Sequence, residues 1–158
     1  MNAIFSELTT EENLQLVDAI PLITLLVGTA DGTLDTYETE WAERVVKFRS
    51  FSNNEDLHEY YTKVGDNFDE RLNHFIRDMP DEAAARKSYL SDYLAQMNPL
   101  IAKLNGHDAY RIYHDFLSFA KHVAKASGGI LYMANVSPGE KKVIELDMID
   151  PVENWPGI

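Results

Sequence analysis

The sequence predicts an all-α protein, folded as one compact, bundle-like domain of seven to eight helices. Apolar residues recur at helical spacing in every long segment, whereas the period of two that is typical of strands is never sustained. Two capping boxes, Thr9 with Glu12 and Ser137 with Glu140, mark helix starts. No linker is long enough to divide the chain, so residues 1–158 are predicted to form a single domain with residues 151–158 as a surface tail.

Composition narrows the functional classes. The chain has 26 Asp and Glu against 14 Lys and Arg, a net charge of −12, and such a field repels nucleic-acid backbones. It has no cysteine, which excludes disulfides and thiolate chemistry and fits the cytoplasm. The longest apolar stretch, Ala19 to Ala30, contains 12 residues, fewer than the roughly 20 that span a membrane.

The first half of the chain contains the most apolar segment. A helix follows Thr9, and Pro21 either kinks it or begins a second helix. Residues 22–27 are apolar on nearly every face, which predicts a central helix packed on all sides and ending near Gly28. The next helix is predicted to start near Thr36, and its apolar stripe is Tyr37, Trp41, Val45 and Phe48.

A longer periodic segment begins at Asn54, and one apolar face persists across Gly65 as far as Met79. Either one helix or two, with Asp66 or Asp69 capping the second, would satisfy this pattern. Asp81 is predicted to cap the following helix, in which Pro99 introduces a bend. Its apolar stripe is Leu90, Leu94, Met97, Ile101 and Leu104.

The last long helix is predicted to open at Asp108 after the Asn105-Gly106 stop. Its stripe is Ile112, Phe116, Ala120 and Val123, and Ser127-Gly128-Gly129 is predicted to end it, with residues 130–136 as a loop. A short helix after Ser137 completes the chain.

Three carboxylates, Asp31, Asp35 and Glu38, lie between two predicted helices. An EF-hand loop needs its glycine at the sixth position, which here would place Val27 where a carboxylate is required. Two interpretations stay open: a helix–turn–helix corner in which Gly32 supplies a permissive backbone, and a weak site for a divalent cation such as calcium.

The histidines offer further candidate ligands. Glu70, His74 and Asp78 fall four residues apart on one helical face, where exposed side-chain pairing competes with metal binding. Glu55 and His58 form a single Glu-x-x-His, a motif that carboxylate-bridged di-metal bundles use twice. His114 and His122 are predicted to lie on a solvated face with Arg111, Asp115, Lys121 and Lys125.

No nucleophile elbow, phosphate-binding loop or dinucleotide fingerprint is found in the sequence. No catalytic residue and no cofactor is therefore predicted, and the aromatic side chains are explained by core packing.

The stretch from Leu26 to Glu38, which contains Ala30-Asp31-Gly32, resembles the signature of TerB-like, tellurite-resistance proteins. In that family an apolar helix runs into an Ala-Asp-Gly turn, and a Glu starts the next helix. Residues 124–129 and 137–140 echo this corner and suggest two pseudo-repeated helical halves. The second corner departs from the pattern, because Ser127 replaces the Asp and the spacer is longer.

The resemblance implies an all-helical, non-enzymatic protein associated with tellurite resistance or stress. Such proteins act through protein partners, including membrane-associated complexes, and some are proposed to bind metal through acidic residues, which match Asp31, Asp35 and Glu38 here. The alternative is a helical metalloenzyme whose ligands come from separate helices.

Overall fold

The computed structural model describes residues 4–29, 40, 42–44, 46, 47, 55–135 and 144–152, and for residues 55, 56 and 126–135 it describes the backbone alone. About four fifths of these residues are helical, and none of them forms a strand. The all-α prediction is therefore confirmed. The predicted count of seven to eight helices stays untested, because residues 30–39 and 136–143 lie outside the described ranges.

The helices with established bounds are α1 (Thr10–Val17), α2 (Ala19–Gly28), α3 (Glu55–Asp78), α4 (Ala83–Ala95), α5 (Asn98–Lys103) and α6 (Gly106–Asn135). Residues 40, 42–44, 46 and 47 are also helical, as are 144 and 145. Helix α2 lies at the centre, where α3, α4 and α6 pack against it.

The start of α1 is the predicted capping box. The Glu12 amide donates to Thr9 Oγ1 at 3.1 Å, and the Thr9 amide donates to Glu12 Oε1 at 3.0 Å. Buried Asn13 then fastens the preceding segment. Its Oδ1 accepts from the Phe5 amide at 3.0 Å, and its Nδ2 lies 3.0–3.2 Å from the carbonyl oxygens of Phe5, Leu8 and Thr9.

Helix α2 is buried along its whole length, as the absence of a polar face predicts. Its one hydroxyl, on Thr24, donates to the Ile20 carbonyl oxygen at 2.9 Å, so α2 itself buries no unpaired side-chain donor. Because α1 ends at Val17 and α2 begins at Ala19, Pro21 lies in the first turn of a new helix. A backbone amide there has no intrahelical acceptor, which is why proline is accepted.

Helix α3 runs unbroken through Gly65, which decides for one helix over two. Its buried stripe, as predicted, is Leu57, Tyr61, Val64, Phe68, Leu72 and Phe75. Two polar contacts fix α3 against the start of α2. Tyr60, fully buried, donates its hydroxyl to the Leu16 carbonyl oxygen at 2.7 Å, and Arg71 binds both oxygens of Asp18 at 2.8 and 2.9 Å.

Two predicted features of the next segment are wrong. Glu82, not Asp81, caps α4, because its carboxylate accepts from the amides of Ala84 and Ala85. Pro99 does not bend a long helix; α4 ends at Ala95, and Pro99 lies in the first turn of α5. Proline has no backbone N–H to donate. It is therefore tolerated at the start of a helix, whereas inside a helix it removes a hydrogen bond. The predicted apolar stripe is nevertheless buried throughout.

The predicted end of the last helix is also wrong. Asn105 caps α6 by accepting from the Asp108 amide at 2.9 Å, but the helix then continues through Gly128-Gly129 to Asn135. Glycine lowers helix propensity by about 1 kcal/mol without removing a backbone donor, so two glycines weaken a helix and do not have to end it. The predicted Ser137 capping box and Trp41 lie outside the described residues.

Truncating a buried side chain of α2 tests the central position of this helix. We expect Leu25→Ala to lower the free energy of unfolding by about 2–5 kcal/mol, because Leu25 is fully buried and its loss leaves a cavity. Leu14→Ala is the matched control, since Leu14 is 46% exposed and its truncation should change stability by less than about 0.5 kcal/mol. Urea unfolding measures both; similar losses for the two variants would contradict the placement of α2.

Candidate functional site: an acidic groove on α3

A groove opens between α3 and the helical residues 40, 42–44, 46 and 47 that precede it. Val46 and Phe68 are buried at its base, and its cavity volume is about 480 Å³. A methyl group in place of the Gly65 hydrogen would lie 3.6 Å from Val46 Cγ1, an ordinary contact. The described lining residues are Glu40, Glu43, Arg44, Val46, Lys47, Gly65 and Phe68. We call this feature the acidic groove.

A pair of carboxyl groups distinguishes the acidic groove. A hydrogen bond with the Asp69 side chain raises the pKa of Glu43, and partial burial, the Asp69 charge and the Glu40 charge act in the same direction. The positive charge of Lys47 opposes this rise. Glu43 of the groove lining and Asp69 of α3 therefore lie close enough for their carboxyl groups to interact.

This arrangement can exchange a proton for a cation. When both groups ionise, their like charges repel each other, and a bound divalent cation would relieve that repulsion. Carboxylate oxygens are the ligands that calcium and magnesium prefer. Glu43 and Asp69 provide such ligands from two separate segments of the chain.

The three predicted corner ligands, Asp31, Asp35 and Glu38, lie outside the described residues. The sequence singled out Asp69 only as a possible helix cap. Glu43 was missed altogether. Twenty-six positions separate it from Asp69, and no local spacing pattern links residues that far apart.

The histidine-based candidates do not form a metal centre within the described residues, where no group of three or more His, Asp and Glu side chains converges. Glu70, His74 and Asp78 are exposed on α3, as expected for a solvated stripe. The Asp78 carboxylate accepts a hydrogen bond from the Tyr89 hydroxyl, and the His74 ring contacts Phe75 edge-on, with 5.2 Å between centroids. His58 is exposed on α3, and the side chain of its predicted partner Glu55 is not described.

The predicted solvated face of α6 is only partly solvated. His114, Lys121 and Lys125 are exposed, but Asp115 is half-buried and accepts a hydrogen bond from the Tyr61 hydroxyl of α3. The periodicity of α6 places Asp115 opposite its apolar stripe, and it cannot reveal that a tyrosine of another helix reaches this position.

Comparison with known proteins gives no match: no family model, no curated protein and no solved structure is similar to this chain. Its function is therefore argued from its own residues. Among the described helices, none has the length and apolar character needed to cross a bilayer.

Gly65 is a testable feature of the acidic groove. We expect Gly65→Ala to raise the free energy of unfolding by about 1 kcal/mol, because alanine favours the helix and its methyl group meets Val46 without a clash. Thermal or urea unfolding measures the gain. Destabilisation by Gly65→Ala would mean that α3 and Val46 lie closer than the structure shows.

The raised pKa of Glu43 predicts that stability depends on pH. Because the pKa of Glu43 is raised in the folded protein, the pair stabilises the fold below the ordinary glutamate pKa, and this contribution is lost as pH rises through the raised value. Glu43→Gln cannot ionise and can still donate to Asp69. We therefore expect the stability of the variant relative to the wild type to increase from pH 4 to pH 7, measured by urea unfolding.

Glu70→Gln serves as the control for this pH series, because it removes the same charge from an exposed position of α3. An equal pH trend in both variants would show that general relief of the −12 charge, and not the Glu43–Asp69 pair, causes the effect.

Proposed function

We propose that this chain is a non-enzymatic, TerB-like protein associated with tellurite resistance or stress. It acts in the cytoplasm through contacts with protein partners, and a divalent cation such as calcium binds at the acidic groove. Peripheral attachment to a membrane occurs through those partners. The complete fold in this proposal has seven to eight helices in two pseudo-repeated halves.

The observation that carries the cation part of the proposal is the Glu43–Asp69 pair. The two carboxyl groups share a hydrogen bond beside a cavity of about 480 Å³, and Glu40 adds a third negative charge nearby. Two like charges held close together repel each other unless a proton or a cation lies between them. At neutral pH a cation is the better counter-charge, since it neutralises both groups.

The sequence connects this pair to the TerB-like corner. Glu38, the last carboxylate of the corner, is two residues before Glu40 at the groove. Calcium takes six to eight oxygen ligands, more than Glu43 and Asp69 alone provide. In the proposal, Asp31, Asp35 and Glu38 supply the remaining oxygens.

The net charge of the chain supports the proposed role in protein contacts. A chain with a net charge of −12 repels other acidic surfaces, and binding of a divalent cation lowers that repulsion at one place. Cation binding would thus control which partners can approach the groove.

Calcium titration tests the proposal. A cation that binds the folded state alone adds about 2.7 kcal/mol at one hundred times its dissociation constant, a rise in Tm of roughly 5–10 °C for a chain of this size. We expect calcium to raise the Tm of the wild type and to have little effect on Glu43→Gln, Asp69→Asn. The corner variant Asp31→Asn, Glu38→Gln should also lose most of the response.

The matched control is Glu70→Gln, Asp78→Asn, which removes two carboxylates from the exposed side of α3 and should keep the full calcium response. Equal responses in all variants would indicate general screening and contradict the site. Metal analysis of the purified protein distinguishes this proposal from the alternative function. Stoichiometric iron or manganese would favour a helical metalloenzyme.

A further inference from the structure

Asn105, the residue before α6, belongs to the one Asn-Gly pair of the sequence, and both Asn105 and Gly106 are exposed to solvent. Its Oδ1 accepts from the Asp108 amide at 2.9 Å. Its Nδ2 donates to two carboxylates, to Glu7 Oε1 at 2.9 Å and to Asp108 Oδ2 at 2.8 Å. The side-chain amide of Asn105 therefore caps α6 and also binds the segment that precedes α1.

The contact with Glu7 depends on the amide group of Asn105. Its hydrogen bond is the largest of the interactions that lower the pKa of Glu7, so the amide faces an ionised carboxylate at neutral pH. A carboxylate can only accept hydrogen bonds, whereas the amide nitrogen donates two. An oxygen in place of Nδ2 would lose both donors and would bring three carboxyl groups together, those of Glu7, Asp108 and position 105.

The structure leaves this amide open to attack by the next backbone nitrogen. Glycine has no side chain to block the approach and permits the necessary rotation of the backbone. Gly106 is the first residue of α6, and the amide at this position has no acceptor within its own helix. The Asp108 amide, which donates to Asn105 Oδ1, would stabilise the negative charge that develops on this oxygen during the attack.

We propose that Asn105 is a site of spontaneous deamidation in the folded protein, and that this modification weakens the attachment of residues 4–9 to α6. The Gly106 nitrogen forms a bond to Asn105 Cγ, and the Cγ–Nδ2 bond breaks. The Gly106 amide proton passes to Nδ2, which leaves as ammonia. Water then adds to one of the two carbonyl carbons of the succinimide and opens the ring, so that aspartate or isoaspartate remains at position 105. Such a modification site is independent of the proposed function and of the acidic groove.

The other asparagines whose side chains are described are placed less favourably. Asn13 is buried, and its Nδ2 donates to backbone carbonyl oxygens. Asn98 precedes Pro99, whose nitrogen carries no proton. Asn67 and Asn73 lie inside α3, where the amide of the following residue is bonded within the helix. Because Asn73 is exposed, it separates the effect of placement from that of exposure.

Peptide mapping of the incubated full chain tests the proposal. The wild type is kept folded at mildly alkaline pH, and samples taken over time are digested with trypsin. The digest contains residues 104–111 with Asn105 and residues 72–77 with Asn73. We expect the first peptide to gain the mass difference between NH₂ and OH as incubation proceeds, and the second to stay as it is in the sample digested at the start. No change at Asn105, or equal rates at both positions, would overturn the proposal.

Two further rates show whether the folded cap permits the reaction, with circular dichroism as the check that each chain is folded. We expect Gly106→Ala to slow deamidation by about tenfold, because its methyl group hinders the attacking nitrogen. The folded wild type should react at no less than about one tenth of the rate of a synthetic peptide with the sequence of residues 104–111. Rotation of the Asn105 side chain breaks hydrogen bonds whose net loss corresponds to about that factor. A slower reaction of the folded chain would show that the cap protects Asn105 and would overturn the proposal.

The variant Asn105→Asp imitates the aspartate product and tests the structural consequence. Aspartate also caps helices, so this variant should fold. We expect its Tm to be lower by about 2–6 °C, because the donor to Glu7 is replaced by a third carboxylate. Adding Glu7→Gln should restore most of the loss, since glutamine can donate to the new carboxylate, whereas Glu70→Gln, an exposed change on α3, should not. An unchanged Tm in Asn105→Asp, or equal restoration by both glutamines, would overturn the proposed weakening.

Discussion

Helix α2 constrains the rest of the fold, because it has no face that can be left in water. All ten of its residues, from Ala19 to Gly28, are buried, so other helices must cover it on every side. Helices α3, α4 and α6 do so, although they come from widely separated parts of the chain. An ordinary amphipathic helix is buried on one side only, whereas α2 must be surrounded by a shell of other helices. The bundle is therefore arranged around α2.

Hydrophobic burial alone does not fix the orientation of that shell, since apolar contacts are not directional. The polar contacts at the α1–α2 junction fix how the surrounding helices are oriented. Arg71 binds both oxygens of Asp18 and lies over the Phe75 ring, 5.1 Å from its centroid, which ties α3 to the α1–α2 junction. Burial raises the pKa of Tyr60, so its hydroxyl stays protonated and donates to Leu16. Tyr61 reaches Asp115 and joins α3 to α6.

The sequence predicted those parts of the fold that depend on local spacing. The buried α2, the Thr9 capping box and the apolar stripes of α3 and α4 all follow from residues within a few turns of one another. It failed where two local signals competed, as at Gly128-Gly129, where the helix continues through two weak formers, and at Pro99, where a helix starts and does not bend.

The candidate site was less predictable than the fold, because its contacts join distant residues. The Glu43–Asp69 pair joins residues 26 positions apart, and the hydrogen bonds of Asn98 to the backbone of Met148 and Asp150 join residues 50 and 52 positions apart. Neither contact leaves a pattern in the sequence. The corner carboxylates had a recognisable local motif, which gave Asp31, Asp35 and Glu38 as candidates. A local motif cannot show which distant side chains complete a ligand set.

The burial of α2 also has a consequence for synthesis of the chain. Helix α2 is complete at Gly28, but α6, one of the helices that cover it, begins only at Gly106. At a translation rate of about 5–20 residues per second, several seconds pass between the two events. During that interval a decapeptide with Thr24 as its one polar side chain has left the ribosome without the helices that later cover it. The nascent chain thus presents a binding site for chaperones that the finished protein no longer displays.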